Sequence, residues 1–297
     1  MMKRLIFISI FLFISSFVWA KNNTGATFLK INGGARPAGM GDVFCAVAND
    51  VNALYFNPAG LAQIKGEECL LTYTQWFEDV KYNYLAFAQN ISRARTIGGN
   101  VTYLRINDLI GRDDDGDLTG NFDAYDLALG LAYAERLSKH SLVGLHLKSI
   151  YQLNENTSGS SIAIDFGWLY KNIIKDLDLG LCIQNIGTKI KFIKKKEELP
   201  LNIKVGLAYK LPRILIIAVD GNIPEDGKVS VNAGTEITLL RFLSLRTGYK
   251  SQTDLDSKSH WSYGVGLKIS DYQINYAFVP YGILGDTHRV SLLLKFL

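Results

Sequence analysis

The sequence contains few cysteines, and after its first twenty residues it has no long apolar run. Cys45, Cys69 and Cys182 are odd in number and lack the spacing of metal ligands. We therefore expect small packing side chains rather than a disulfide framework. No later stretch approaches the ~20 consecutive apolar residues that a membrane-spanning helix needs. Any insertion into a membrane must therefore use β-strands.

Charge of neither sign dominates the chain. The 32 basic residues nearly balance the 28 acidic residues, which gives no indication of nucleic acid as a partner. The chain has only four histidines, and none has an evident serine or acid partner. A nucleophilic enzyme needs its nucleophile and base within hydrogen-bond reach on one face. The sequence thus predicts no enzyme, no catalytic residue and no cofactor.

An acidic cluster imitates the start of a calcium loop without completing it. The cluster consists of Asp113, Asp114, Asp115 and Asp117. An EF-hand requires glycine at the sixth position and glutamate at the twelfth, where this chain has Leu118 and Ala124. A looser calcium site and a solvated acidic loop remain as alternatives. No residue is assigned to a metal.

The N-terminus has the features of a secretory signal peptide. Lys3 and Arg4 precede an apolar run over residues 5–18, and Val18, Trp19 and Ala20 form a plausible cleavage site. Residues 1–20 are therefore predicted to be removed on export, and no cysteine follows the cut to suggest a lipoprotein.

From residue 67 to residue 297 the chain consists of runs of about ten residues in which every second side chain is apolar. In the last run Val290, Leu292 and Leu294 alternate with Arg289, Ser291 and Lys295. Successive side chains of a strand point to opposite faces, so each run has one apolar face. This alternation fits both a soluble sandwich and a membrane barrel.

The lengths of the connections favour the barrel. Tight turns, for example near 92–95, 138–140 and 270–271, alternate with mostly longer links such as 107–121, 187–200 and 251–259. Bacterial outer-membrane barrels have short periplasmic turns and long extracellular loops. Seven outer links and six inner turns predict an all-β, antiparallel transmembrane barrel of about 14 strands, surrounded by outer-membrane lipids, with both termini in the periplasm.

Residues 21–66 lack the alternation and are predicted to form a short, helical, plug-like segment beside the barrel of residues 67–297. Residues 40–49 are rich in alanine and apolar side chains, which predicts a short helix. Asn57 and Pro58 supply a cap and a first helical residue, a favourable helix start. The segment either gates the lumen or only fills and stabilises it. Arg36 and Asp42 could pair with charges in the lumen.

Two motifs in this segment resemble the N-terminal motif of the PorV/PorQ family. They read Gly33-Gly34-Ala35-Arg36-Pro37-Ala38-Gly39-Met40-Gly41-Asp42 and Asn49-Asp50-Val51-Asn52-Ala53-Leu54-Tyr55-Phe56-Asn57-Pro58-Ala59-Gly60-Leu61. The resemblance continues through later stretches such as 184–188 and 276–282. The family looks like a branch of the long-chain fatty acid (FadL-like) outer-membrane transporters.

The resemblance implies two alternative functions. The first is passive transport of hydrophobic small molecules such as long-chain fatty acids, with Met40, Phe44, Tyr55 and Phe56 as ligand neighbours unless they only pack. The second is type IX secretion, in which PorV-like members hold secreted cargo proteins at the cell surface. The alternating last strand, with Phe296 next to its end, would be read by the barrel assembly machinery.

Overall fold

The computed structural model describes residues 24–296, apart from 77–79, 113–114, 156, 193–194, 212–213, 253–258 and 283–284. The signal peptide predicted for residues 1–20 lies outside the described residues, as do Asp113 and Asp114 of the acidic cluster. Both predictions therefore stay predictions. Among the described residues, no helix is long and apolar enough to cross a membrane.

The chain forms a closed antiparallel barrel of 14 strands with a small separate hairpin, which confirms the predicted fold class and strand number. The barrel consists of β1–β7 and β10–β16, and the hairpin of β8 and β9. The strands are β1 (Glu67–Gln75), β2 (Lys81–Asn90), β3 (Arg95–Arg112), β4 (Leu118–Arg136), β5 (Ser141–Asn154), β6 (Thr157–Ile174), β7 (Leu177–Gly187), β8 (Ile190–Phe192), β9 (Lys195–Glu197), β10 (Asn202–Leu211), β11 (Leu215–Pro224), β12 (Ser230–Leu239), β13 (Leu243–Lys250), β14 (Trp261–Ile269), β15 (Tyr272–Pro280) and β16 (Asp286–Phe296).

The barrel closes by pairing its first strand with its last. Glu67 lies opposite Phe296, and the pairing continues to Gln75 opposite His288. All other neighbours in the barrel are consecutive in the chain, except that β7 pairs directly with β10 because the hairpin intervenes. Closure leaves no free sheet edge along the barrel, as a spanning sheet requires.

The two faces of the wall differ as the alternation predicts. Outward positions such as Leu131, Ile162 and Leu207 are exposed, whereas inward charges such as Asp165 and Glu236 are buried. Apolar side chains that face outward from a closed barrel have no protein partner, so lipid is the environment that suits them. These inward charges are paired with neighbours: Asp165 contacts Lys148 on the adjacent strand, and Glu236 contacts Arg36 of the N-terminal segment.

Strands β3 and β4 extend past their neighbours at the end with the longer connections, which we call the long-loop end. Their pairing continues to Arg112 opposite Leu118, whereas β2 accompanies β3 only to Arg105 and β5 accompanies β4 only to Ala124. The outer link predicted over residues 107–121 is therefore wrong. Most of it is strand, because a register shift near Asp108 lets the two strands continue pairing.

The N-terminal segment contains short helices joined by turns. They are α1 (Ala35–Gly39), α2 (Ala53–Phe56) and two 3₁₀ helices, Thr27–Lys30 and Pro58–Gln63. The helix predicted over residues 40–49 is absent, because Gly41 and Asp42 have φ of 69° and 60° and a right-handed helix cannot pass through them. The helix start at Asn57 and Pro58 is confirmed, since the Asn57 side chain accepts from the Ala59 N–H at 3.2 Å.

The N-terminal segment follows the inner wall around the barrel. Helix α1 packs against β14 and β15. The backbone N–H groups of Phe44 and Cys45 then donate to Asp220 on β11. Further along, the Asn57 amide donates to the Trp168 carbonyl on β6, at 3.2 Å. Contacts with strands on all sides place the segment inside the lumen. The chain then enters β1 at the end of the barrel with the tight turns, which we call the short-turn end.

Pairs of glycines on adjacent strands let the N-terminal backbone lie directly on the wall. A Cβ added to Gly248 would fall 2.0 Å from the Gly41 nitrogen, and one added to Gly144 would fall 2.4 Å from the Ala59 nitrogen. No side chain fits at such distances. The paired glycines that face the segment are Gly144 with Gly167, Gly180 with Gly206, and Gly234 with Gly248.

Candidate functional site

A cavity of about 330 Å³ lies between the N-terminal segment and the wall, near the long-loop end. The segment contributes Leu29, Tyr55 and Phe56 to its lining, and Pro200 and Pro224 come from the region of β10 and β11. This volume is at the lower end of the range for small-molecule sites. Toward the short-turn end the described lumen is filled by a continuous apolar core that the N-terminal segment shares with the wall.

Charged side chains line the rest of the cavity, and most of them are paired. Lys30 contacts Asp226 at 2.7 Å, and Lys250 contacts Asp42. Lys204 instead lies over two aromatic rings, 4.9 Å from the centroid of Phe56 and 5.4 Å from that of Tyr55. The cavity therefore combines an apolar, aromatic side with a polar side that carries a buried lysine.

Of the residues predicted from the sequence to neighbour a ligand, the structure brings Tyr55 and Phe56 to the cavity, together with Asp42. The Tyr55 hydroxyl donates to the Leu29 carbonyl at 2.9 Å, which ties the two cavity-lining turns together. Phe56 is fully buried and lies against Tyr55, with ring centroids 4.8 Å apart. Asp42 forms an ion pair with Lys250 on β13, which is the kind of lumen charge that the sequence analysis offered as its partner.

Met40, Phe44, Asn57 and Pro58 lie in the core rather than on the cavity. Met40 and Phe44 are fully buried, and the Phe44 ring packs against Phe56 with centroids 5.5 Å apart. Asn57 is also fully buried and bridges the segment to the wall, donating to the Cys45 carbonyl at 2.9 Å. Burial of each large apolar side chain contributes about 1.5–3 kcal/mol, so this cluster fastens the segment.

Arg36 is the main electrostatic link between the segment and the wall. Its Nε and Nη2 donate to the two carboxylate oxygens of Glu236 on β12, each at 2.8 Å, and Nη1 donates to Asp50 at 2.6 Å. Burial by itself raises the pKa of the Asp50 carboxyl, but the charges of Arg36 and Lys295 outweigh this and hold the pKa below its usual value. The network is therefore ionised, with a guanidinium shared between two carboxylates.

The comparisons with known proteins agree with this geometry. A family model described as "Type IX secretion system protein PorV" matches residues 20–223, well over half of the chain. The chain belongs to the PorV family. No curated protein is significantly similar to it in sequence.

Solved structures with a similar fold include two toluene transporters and a FadL homologue. The toluene transporter TodX of Pseudomonas putida has a TM-score of 0.62 and 13% identity, over 89% of this chain and 96% of that chain. The toluene transporter TbuX of Ralstonia pickettii has a TM-score of 0.64 and 12% identity, over 90% and 99%. A FadL homologue of Pseudomonas aeruginosa has a TM-score of 0.60 and 10% identity, over 89% and 98%. The PorV-family chain therefore has a FadL-like fold and is an outer-membrane protein.

Sequence reasoning placed Lys204 in the lumen of this PorV-family barrel but not at a site. It also missed the paired glycines. The residues themselves could be read from the alternation in the sequence, because Lys204 and Gly206 are two positions apart and therefore both lie on the inward face of β10. Only the three-dimensional register shows that Gly180 lies opposite Gly206 and that Lys204 faces the aromatic rings.

Proposed function

We propose that this PorV-family barrel carries hydrophobic small molecules, such as long-chain fatty acids, passively across the outer membrane. The observation that supports it is the cavity between the N-terminal segment and the wall, with Leu29, Tyr55 and Phe56 on its apolar side. A ligand would enter from the long-loop end and bind there. No catalytic step is involved, and the matched family and fold neighbours are described as channels, transporters and a secretion protein.

In this proposal residues 1–20 are a signal peptide, residues 21–66 a plug, and residues 67–297 the barrel. The long-loop end faces outward and both termini lie in the periplasm, because barrels of this type have their short turns there. The barrel assembly machinery would insert the chain by reading β16. An apolar core fills the described lumen between the cavity and the short-turn end. A ligand can therefore pass only if the plug shifts.

Ligand binding is the first test of the transport proposal. Purified barrel exchanged into a detergent that does not compete should bind radiolabelled oleate saturably, with one ligand per chain. Absence of saturable binding would contradict transport. An unrelated barrel of similar size in the same detergent serves as the control for partition of oleate into the micelle.

A disulfide that fastens the plug tests whether it must move. The Ala35 N–H donates to the Ser291 hydroxyl at 2.8 Å, and both residues are small and buried. The double variant Ala35→Cys/Ser291→Cys, with the three native cysteines replaced by alanine, should stop oleate uptake by whole cells when oxidised and regain it when reduced. Each single cysteine variant is the control. Equal uptake by the oxidised and reduced forms would show that the plug does not gate.

A second candidate function, display of secreted cargo through type IX secretion, is favoured by the family match over residues 20–223. The ribbon formed where β3 and β4 extend past their neighbours offers a surface for a protein partner, with Ile110 and Leu118 more than 60% exposed. Deleting the gene should then remove cargo from the cell surface, and tagged barrel should co-purify with it.

Shortening the ribbon by removing residues 109–121 separates the two functions. Cargo display should be lost while oleate binding persists, because the cavity lies beside β10 and β11 and not beside this ribbon. A native organism that keeps its full set of surface proteins after gene deletion would exclude the secretion role.

A further inference from the structure

Arg246 is a buried arginine whose hydrogen-bonding capacity is only partly used. It lies on β13, directly opposite Glu236 on β12, and its side chain is fully buried. Its Nε donates to Glu236 Oε2 at 2.5 Å, but its Nη1 and Nη2 have no hydrogen-bond partner among the described residues. Unpaired donors in a protein interior are costly and uncommon, so these two nitrogens need an explanation.

Glu236 already has a stronger partner in Arg36 of the N-terminal segment. Arg36 donates through Nε and Nη2 to both carboxylate oxygens, each at 2.8 Å, whereas Arg246 contacts only Oε2. The two-point contact is the stronger arrangement. Stability of the docked segment does not explain Arg246, because a second guanidinium repels the first and buries two unpaired donors.

The ion network divides into two neutral pairs along the boundary between the segment and the wall. Within the segment, Arg36 Nη1 donates to Asp50 at 2.6 Å, and Asp50 also accepts from the backbone and side-chain nitrogens of Asn52. Within the wall, Glu236 is paired with Arg246. If the segment moves away from β12, each half keeps its own counter-charge. Orphaned charges are the main cost of breaking a buried ion network, and here that cost is avoided.

The apolar contact between the segment and the wall is also uneven around the barrel. The main core joins the segment to β1–β6, β10, β11 and β16, and none of its described members lies on β12, β13, β14 or β15. Toward those strands the segment presents α1, and the buried apolar cluster there consists of Ala35, Ala38, Ala277 and Val279. Separation on this side exposes less apolar surface and therefore costs less free energy than separation on the other.

We propose that the N-terminal segment parts from the wall along β12 and β13, and that Arg246 then takes over Glu236 with its two free nitrogens. Arg246 is thus a positioning residue, which keeps the carboxylate paired while the segment is displaced and so lowers the free energy of the open state. Arg36 and Asp50 move with the segment as a pair. The inference rests on the proposed passage of a ligand through the lumen, since it locates the movement that such passage needs.

Hydrogen exchange of the backbone amides in residues 35–50 measures this opening without any ligand, under conditions in which exchange reports the opening equilibrium. The purified barrel in micelles is compared with Arg246→Met, which removes the charge and keeps a long side chain. Because Glu236 then loses its last partner only in the open state, exchange should slow about 10-fold, the effect of one charged hydrogen bond. A purely structural role predicts faster exchange, since a lost wall contact loosens the fold.

Arg289→Met is the matched control, because Arg289 is also a buried arginine of the inner wall, but its Nη1 donates directly to the Asn32 carbonyl of the segment, at 2.9 Å. That bond is lost on opening, so its removal should speed exchange. Gel mobility with and without heating verifies that each variant is a folded barrel. A folded Arg246→Met variant with unchanged or faster exchange overturns the inference.

A second background shows whether the effect of Arg246 passes through Glu236. In Glu236→Gln the carboxylate is absent, so adding Arg246→Met should change exchange by less than about twofold relative to Glu236→Gln alone. A tenfold slowing that persists in this background contradicts a handover of Glu236 from Arg36 to Arg246.

Oleate binding and uptake separate this inference from the transport proposal. Arg246→Met should bind oleate as the wild type does, while uptake by whole cells slows, because only passage needs the open state. If the wild type neither binds nor takes up oleate, the transport proposal fails, and slower exchange in Arg246→Met still supports the handover. Normal oleate binding together with unchanged exchange overturns the handover alone. Slower exchange with unchanged uptake contradicts passage along β12 and β13.

Discussion

Replacing Arg36 by alanine should lower the free energy of unfolding by about 3–5 kcal/mol, since it leaves the buried Asp50 without its ion-pair partner and Glu236 with Arg246 alone. Arg36 contacts Glu236 on the wall and Asp50 in the N-terminal segment, and all three side chains are at least nine-tenths buried. The measurement is urea unfolding of the barrel in micelles, followed by tryptophan fluorescence. Limited proteolysis should at the same time show faster cleavage within residues 24–66.

An exposed ion pair gives the control for Arg36. Arg105 contacts Asp123 at 2.6 Å, but 45% and 43% of the two side chains are exposed, so Arg105→Ala should cost less than about 1 kcal/mol. Arg36→Lys should fall between the two, because it keeps the charge and loses the two-point contact with Glu236. If Arg36→Ala and Arg105→Ala destabilise equally, the network does not fasten the segment.

Periodicity and connection length were sufficient to predict the wall of this barrel. An alternation such as Val290, Leu292 and Leu294 against Arg289 and Ser291 depends only on neighbouring residues, and the structure keeps it along β16. Helix start signals are local too, which explains why Asn57 and Pro58 were placed correctly. Features that depend on a few residues in sequence can be predicted from the sequence.

Features that depend on contacts between distant residues could not be predicted in this way. Residues 40–49 favour a helix by composition, but the backbone turns at Gly41 and Asp42 to follow the wall past Gly248. Similarly, β3 and β4 continue through polar residues that suggested a loop, because pairing with each other satisfies their backbone. In both cases tertiary contacts outweighed local preference.

The site was only partly predictable for the same reason. Tyr55 and Phe56 belong to a recognisable motif, so they could be chosen as ligand neighbours before their position was known. Lys204 is one of several inward lysines in the alternation. What distinguishes it is its position over the Tyr55 and Phe56 rings, and that depends on where the N-terminal segment, which is far away in the sequence, lies in the lumen.

Adding a single methyl group at Gly248 should destabilise the barrel by about 1–3 kcal/mol, because the new Cβ would lie 2.0 Å from the Gly41 nitrogen and 2.2 Å from the Met40 carbonyl carbon. Backbone atoms cannot rotate away as a flexible side chain would, so the N-terminal segment has to move off the wall. Urea unfolding of Gly248→Ala measures the loss, and proteolysis within residues 24–66 should accelerate as it does in Arg36→Ala.

Gly221→Ala is the matched control, since this glycine also lies in a barrel strand but a Cβ there would have no neighbour nearer than 3.9 Å. Its effect should stay within about 0.5 kcal/mol of zero. Equal effects of the two substitutions would mean that glycine is needed for the strand rather than for the segment. If Gly248→Ala and Arg36→Ala both act by releasing the segment, the double variant should lose less stability than the two single losses combined, because a released segment cannot be released again.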